Sequence, residues 1–131
     1  MKIEELFLEI NNAVCSNFNT LSKFDFKGVY IICDNGEVVY VGSAYARTIE
    51  QRLKQYISKS DTGNTLGKTV AKKLSGSQKY DKQAKSKMSN AIKKIKTFTI
   101  YAIQHDDLEY RLILRDQSII TAGKERINDG R

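Results

Sequence analysis

The chain has 131 residues, 22 Lys and Arg against 15 Asp and Glu, a net charge of +7, and neither proline nor tryptophan. That length closes one core and excludes a pair of domains facing each other across a cleft, so a single domain over 1–131 is expected. No apolar run approaches the roughly 20 residues of a membrane-spanning helix, the start carries Glu4 and Glu5 where a secretion signal is basic, and a cytoplasmic protein is expected.

In chain order, Ile3, Leu6, Phe7, Ile10 and Val14 have helical spacing, which predicts an N-terminal amphipathic helix ending near Ser16 and Asn17 and covering a sheet face. Residues 28–34 and 37–42, rich in Val, Ile and Tyr, read as strands joined by Asp34-Asn35-Gly36, a hairpin signal. A helix is expected over 44–57, with Thr48 and Gln51 as a capping box and Ile49, Leu53, Tyr56 and Ile57 on its apolar side. Residues 58–64 and 75–82 have the Ser, Gly, Thr and Asp content of mobile connections. Between and after them, Leu66, Val70 and Leu74, then Ala84, Met88, Ala91, Ile92 and Ile95, predict two short helices. A third strand is expected at 98–103 and a closing helix at 108–122, stopped by Gly123. Cys15, Cys33 and the one histidine, His105, are too few for a Cys/His zinc site, and no chemistry is assigned to His105.

The charge is concentrated. Residues 58–96 hold 11 lysines and two aspartates, a net +9, so the rest of the chain carries −2. Such a strip is the footprint of a polyanion site, because each neutralised phosphate releases counterions. Lys68, Lys72, Lys73, Lys85, Lys87, Lys93 and Lys94 are the candidate contacts. Charge alone leaves DNA, RNA and an anionic lipid surface open.

The hairpin geometry has two readings. A two-residue loop at Asn35-Gly36 sets Tyr30 opposite Val41, which puts Tyr30 and Tyr40 on opposite faces. A three-residue loop, with Gly36 as a bulge, sets Tyr30 directly opposite Tyr40. Both loops suit Asp-Asn-Gly, and a strand tyrosine is ordinarily packing.

With Gly28-Val29-Tyr30, then Tyr40-Val41-Gly42, then Glu50-Gln51-Arg52-Leu53, the sequence resembles the GIY-YIG nuclease family. The resemblance runs from Gly28 to about Asn128, with the N-terminal helix and most of the basic 58–96 segment as additions. It implies an α+β fold, a small three-stranded antiparallel sheet flanked by helices, and it selects the three-residue loop. It also implies a metal-dependent phosphodiesterase site built from both tyrosines, the arginine and a glutamate on a later helix. That acid is followed in the family by two variable residues, two apolar ones and an asparagine about a dozen positions on. Asp116, with Ile119, Ile120 and Asn128, reproduces the pattern with the wrong acid; Glu109, with Leu112 and Ile113, has the right acid and no such asparagine. Both fall inside one apolar arc at about 100° per residue. Glu109 sits in the first turn, where acids suit the helix dipole, whereas a mid-helix Asp116 on that arc needs a cation or donors. Asp116 is therefore preferred as the metal ligand, with Glu109 as the alternative.

By resemblance, Tyr30 takes or relays the proton of the attacking water, Tyr40 lies beside it, and Arg52 clamps the phosphate with its planar fork. Asp116 or Glu109 holds Mg²⁺, or Mn²⁺. Tyr56, one turn after Arg52, lines the same groove or packs; Asn128 orders the site wall; Arg47 is a weaker alternative to Arg52. The implied function is a metal-dependent DNA endonuclease, with RNA open as a partner and specificity drawn from the 58–96 segment or a homodimer. The alternative is a nucleic-acid-binding module of the same fold that has lost activity, since aspartate is a methylene shorter than glutamate. A third reading, with the tyrosines as plain core, predicts phenols on opposite faces and Arg52 turned away.

Overall fold

Asn35 and Gly36 both take positive φ, 52° and 81°, the signature of the two-residue type I′ turn whose twist matches its flanking strands. They join β2, Gly28–Asp34, to β3, Glu37–Ala44. The expected three-residue loop is therefore incorrect: Asp34 pairs with Glu37 and Cys33 with Val38. The register then shifts, with Ile32 opposite Tyr40 and Tyr30 opposite Gly42, so Val39 is the extra residue of a β-bulge. The bulge restores by another route what the three-residue loop was expected to provide. Tyr30 and Tyr40 share a face, offset by one pair rather than directly opposed, contrary to the opposite-face placement that the plain-core reading predicts.

The structure is a computed structural model that describes residues 13–44, 46–58 and 63–104. The expected helix over 3–12, His105 and the closing helix with Glu109, Asp116 and Asn128 lie outside these residues. Within them the sheet has four strands rather than three, all antiparallel, in the order β1-β4-β2-β3. The unforeseen strand is β1, Val14–Asn17, which pairs along β4, Thr99–Gln104. Val14 thus belongs to a strand and not to the N-terminal helix. A 3-10 turn at Leu21–Phe24 follows β1 and buries Leu21 and Phe24.

The predicted helix after β3 forms, but Ala44 is still strand and α1 spans Ile49–Tyr56. Thr48 and Gln51 make both halves of the capping box, which satisfies two otherwise orphaned N–H groups. The lysine-rich segment contains three helices rather than two: α2 at Thr65–Ser75, α3 at Lys82–Ser86 and α4 at Met88–Ile95, the last two separated by Lys87. Gly76, at φ 72°, ends α2 in a left-handed cap, with its own N–H reaching the Lys73 carbonyl and that of Ser77 the Lys72 carbonyl. That defined stop replaces the mobile connection expected from Ser75. No helix among the described residues is long and apolar enough to cross a membrane.

Both faces of the sheet are buried. Val29, Ile31, Cys33 and Val41 are wholly inaccessible on one side. On the Tyr30 side, Ile32 and Ile100 pack with Ile49 and Leu53 of α1, Leu66 of α2 and Ile95 of α4. The basic segment is therefore part of the core and not a flap laid over it. A smaller cluster of Ala71, Met88, Ala91 and Ile92 joins that core through Ile57 and Val70. Since Ile95 is fully buried, Ile95→Ala is expected to cost about 2–4 kcal/mol in chemical denaturation; an unchanged midpoint would mean the segment contributes nothing to the core.

Candidate active site

Tyr30 and Tyr40 reach the site from neighbouring strands, and Tyr56 and Arg52 from successive turns of α1. Glycine at position 42 is dictated by this arrangement: a Cβ there would run into the Tyr30 ring, which lies across the strand opposite it. Glycine at position 28 meets a comparable demand, since its Cα faces the Ile103 carbonyl of β4. The two motif glycines are thus places where another group passes too close for any side chain.

Three phenols cluster around Tyr56. Its hydroxyl and that of Tyr30 lie 2.5 Å apart, and the two ring centroids are 6.1 Å apart. The Tyr40 ring meets Tyr56 edge-on at 5.8 Å, an arrangement favoured by the ring quadrupoles. Tyr30, Tyr40 and Tyr56 are all at most 4% exposed. Tyr56 is therefore the hub of the cluster and not peripheral packing.

Arg52 closes the outer side. Its guanidinium carbon sits 5.0 Å from the centroid of the Tyr56 ring, Nη1 donates to Gln55 Oε1 at 2.6 Å and to the Gly63 carbonyl at 3.0 Å, and Nη2 reaches Thr65 Oγ1 at 3.4 Å. Thr65 Oγ1 also lies 2.9 Å from the Tyr40 hydroxyl. Each of these acceptors is neutral, so among the described residues no carboxylate compensates the Arg52 charge. Arg47, by contrast, is exposed.

Residues 58–64 are read from composition as a mobile connection, yet Asn64 is completely buried. Its amide donates to the carbonyls of Tyr56 and Ser58 at 3.2 and 3.4 Å, and its Oδ1 accepts from Gly67 N at 2.8 Å as the N-cap of α2. This one side chain ties the end of α1 to the start of α2 and delivers Gly63 and Thr65 to Arg52. Gln55, Gly63, Asn64 and Thr65 escape a reading by motif; an asparagine one residue before a helical run is the N-cap signal that points to Asn64.

The lysines are dispersed over the three helices. Lys73, Lys85, Lys87 and Lys93 are exposed. Lys68 lies 5.5 Å from the centroid of the Tyr80 ring, Lys72 is half-buried on α2, and Lys94 pairs with Asp34 at 3.2 Å, clipping α4 to the hairpin turn.

Burial governs the phenols. It pushes Tyr30 from the ordinary 10.0 up to about 12, Tyr40 adding to the rise, while the hydrogen bond with Tyr56 and the Arg52 charge oppose it only partly. Burial likewise raises Tyr56 well above the phenol range, with Tyr30 reinforcing it. For Arg52, half-burial works against the charge, but Tyr56, Tyr30 and Tyr40 favour it and the balance is upward. At neutral pH Tyr30 and Tyr56 are thus protonated phenols beside one permanent cation.

A raised phenol pKa stabilises the fold below the unfolded value near 10, and that contribution is lost as pH climbs towards the folded value near 12, because the unfolded chain releases the proton first. Denaturation midpoints are expected to fall between pH 10 and 12, and Tyr30→Phe to flatten that fall relative to the wild type. Equal slopes for the two proteins would contradict the burial argument.

The family description that matches is the GIY-YIG catalytic domain, over residues 26–125. Neither the curated proteins nor the solved structures contain a match. The match takes in both tyrosine strands, the arginine helix, the whole lysine-rich segment and the fourth strand, most of the chain. This protein belongs to the GIY-YIG family, a nuclease superfamily.

Proposed function

We propose that the chain is a metal-dependent endonuclease that hydrolyses phosphodiester bonds of DNA. The observation that carries this reading is Arg52: a half-buried guanidinium beside three phenols, held in place by neutral acceptors. Such a cation is oriented but not neutralised, and its planar fork suits two oxygens of a phosphate.

A phenol with a pKa near 12 is not a base at pH 7 unless it passes on its own proton as it accepts another. The Tyr30–Tyr56 contact offers that route. Tyr30 takes the proton of the attacking water and hands its own to Tyr56, and Tyr56, itself protonated, releases its proton to an oxygen of the phosphate held by Arg52, so that no phenol ends with two.

The described donors at the site are oxygens, the kind that a hard divalent ion prefers. They are neutral, however, and among the described residues there is no group of three His, Cys, Asp or Glu side chains. We assign the carboxylate to Asp116, with Glu109 as the alternative, in the stretch following Gln104. Because Gln104 pairs with Gly28 at the Tyr30–Gly42 end of the sheet, that stretch departs from the site's own end, which supports this assignment. When bound there, Mg²⁺ or Mn²⁺ supplies charge stabilisation at the departing oxygen.

Plasmid nicking with Mg²⁺ and with EDTA tests the reading. Metal-dependent cutting is expected, with Tyr30→Phe reduced about 10²- to 10⁴-fold and Arg52→Ala at least as impaired. Asp116→Ala is expected to abolish cutting while Glu109→Ala keeps a measurable rate; the reverse would transfer the metal to Glu109. Salt-dependent binding without any cutting of DNA or RNA would leave an inactive nucleic-acid-binding module.

For the grip, Lys85 and Lys87 are exposed at the join of α3 and α4. Replacing both with alanine is expected to reduce the slope of log affinity against log salt by about 2 units, near 0.9 per lost phosphate contact. An unchanged slope would remove this part of the strip from the interface.

A further inference from the structure

Tyr40 and Arg52 meet at a residue that neither tyrosine motif nor the arginine helix supplies. Thr65 Oγ1 lies 2.9 Å from the Tyr40 hydroxyl and 3.4 Å from Arg52 Nη2. It is the first residue of α2, and the buried Asn64 immediately before it is fixed to Tyr56, Ser58 and Gly67. The Thr65 hydroxyl is therefore held from the backbone side and has little freedom to follow whatever it touches.

A threonine hydroxyl has one proton and two lone pairs. Arg52 has only donors, so one lone pair of Thr65 takes its N–H. The proton and the second lone pair remain for Tyr40, whichever of the two hydroxyls donates. A single oxygen thus fixes the angle of a phenol on β3 and of a guanidinium on α1. Losing it frees the Tyr40 hydroxyl to rotate about its C–O bond and removes one acceptor from Arg52 Nη2, while the Gln55 and Gly63 contacts still hold Nη1.

We propose that Thr65 is a positioning residue for phosphodiester cleavage, contributed by the lysine-rich segment, which aligns Tyr40 and Arg52 with each other before the phosphate arrives. This inference rests on the nuclease reading above. It assigns the segment a second task beside its charge: the start of α2 sets the geometry of the site that the later lysines serve.

Three proteins test it: wild type, Thr65→Val, which keeps the shape and loses the hydroxyl, and Thr65→Ser, which keeps the hydroxyl and loses the methyl. With Mg²⁺ and an oligonucleotide substrate, Thr65→Val is expected to lower kcat about 10- to 100-fold, the usual scale for a misaligned site, while KM stays within about threefold. Thr65→Ser is expected to recover kcat to within about threefold of wild type. A packing role would give the opposite order, with serine the worse variant. The second readout is the Tyr40 ring-carbon resonance in protein labelled with ¹³Cζ-tyrosine, recorded without metal or substrate. It is expected to move in Thr65→Val and to remain near its wild-type position in Thr65→Ser. A valine variant that cuts like wild type, a serine variant as slow as valine, or a Tyr40 resonance unmoved by valine overturns the proposal. If the wild type cuts no nucleic acid with Mg²⁺ or Mn²⁺, the nuclease reading falls separately, and the Tyr40 resonance, which needs no turnover, still decides whether Thr65 aligns that phenol.

Discussion

A β-strand sends successive side chains to opposite faces, so the extra residue between Val38 and Tyr40 decides where the second tyrosine points. With the tight turn at Asn35-Gly36 and no bulge, Tyr40 would share a face with Val29 and Ile31 and never meet Tyr30. Val39 absorbs one position, and from Tyr40 onward β3 is in step with the site. The remaining parts follow from that parity. Gly42 lands beneath the Tyr30 ring, Tyr40 reaches the start of α2, and Tyr56 finds a phenol on either side.

What the cluster does electrostatically follows from its dryness. The three rings are buried, which holds the Tyr30 and Tyr56 phenols in their protonated form and makes the half-buried Arg52 the one charge among the described side chains that face the cluster. Each contact that orients the guanidinium comes from a neutral group, so its direction is fixed without cancelling its field. This is preorganisation in its simplest form: donors aimed in advance at the position an anion will take, with little rearrangement left for the moment of reaction.

Much of this was legible from residue order, for reasons that can be named. Thr48 and Gln51 announce the start of α1 because a capping box is local chemistry, and alternation within 28–34 and 37–42 is enough to mark two strands. Arg52 and Tyr56 read as neighbours because one helical turn separates them. The bulge was not legible, since nothing distinguishes Val39 from the valines on either side of it; only packing across the sheet selects the residue to be left unpaired. β1 was hidden because four residues, Val14–Asn17, are too few to show a period. Asn64 was misread for a different reason: Ser, Asp, Thr and Gly before it give the composition of a loop, and composition does not record that one amide among them is wholly buried and bonded three ways.

The bulge has another effect, on the outside of the sheet. Among the described strands, β3 lies at one end of the order, so its outer row of N–H and C=O groups has no strand beside it. A straight edge strand is a template on which a further strand from another molecule can add. The unpaired residue breaks the regular spacing of that row and increases the local twist. The irregularity that aims a tyrosine inward therefore also makes the rim of the sheet a poor surface for self-association.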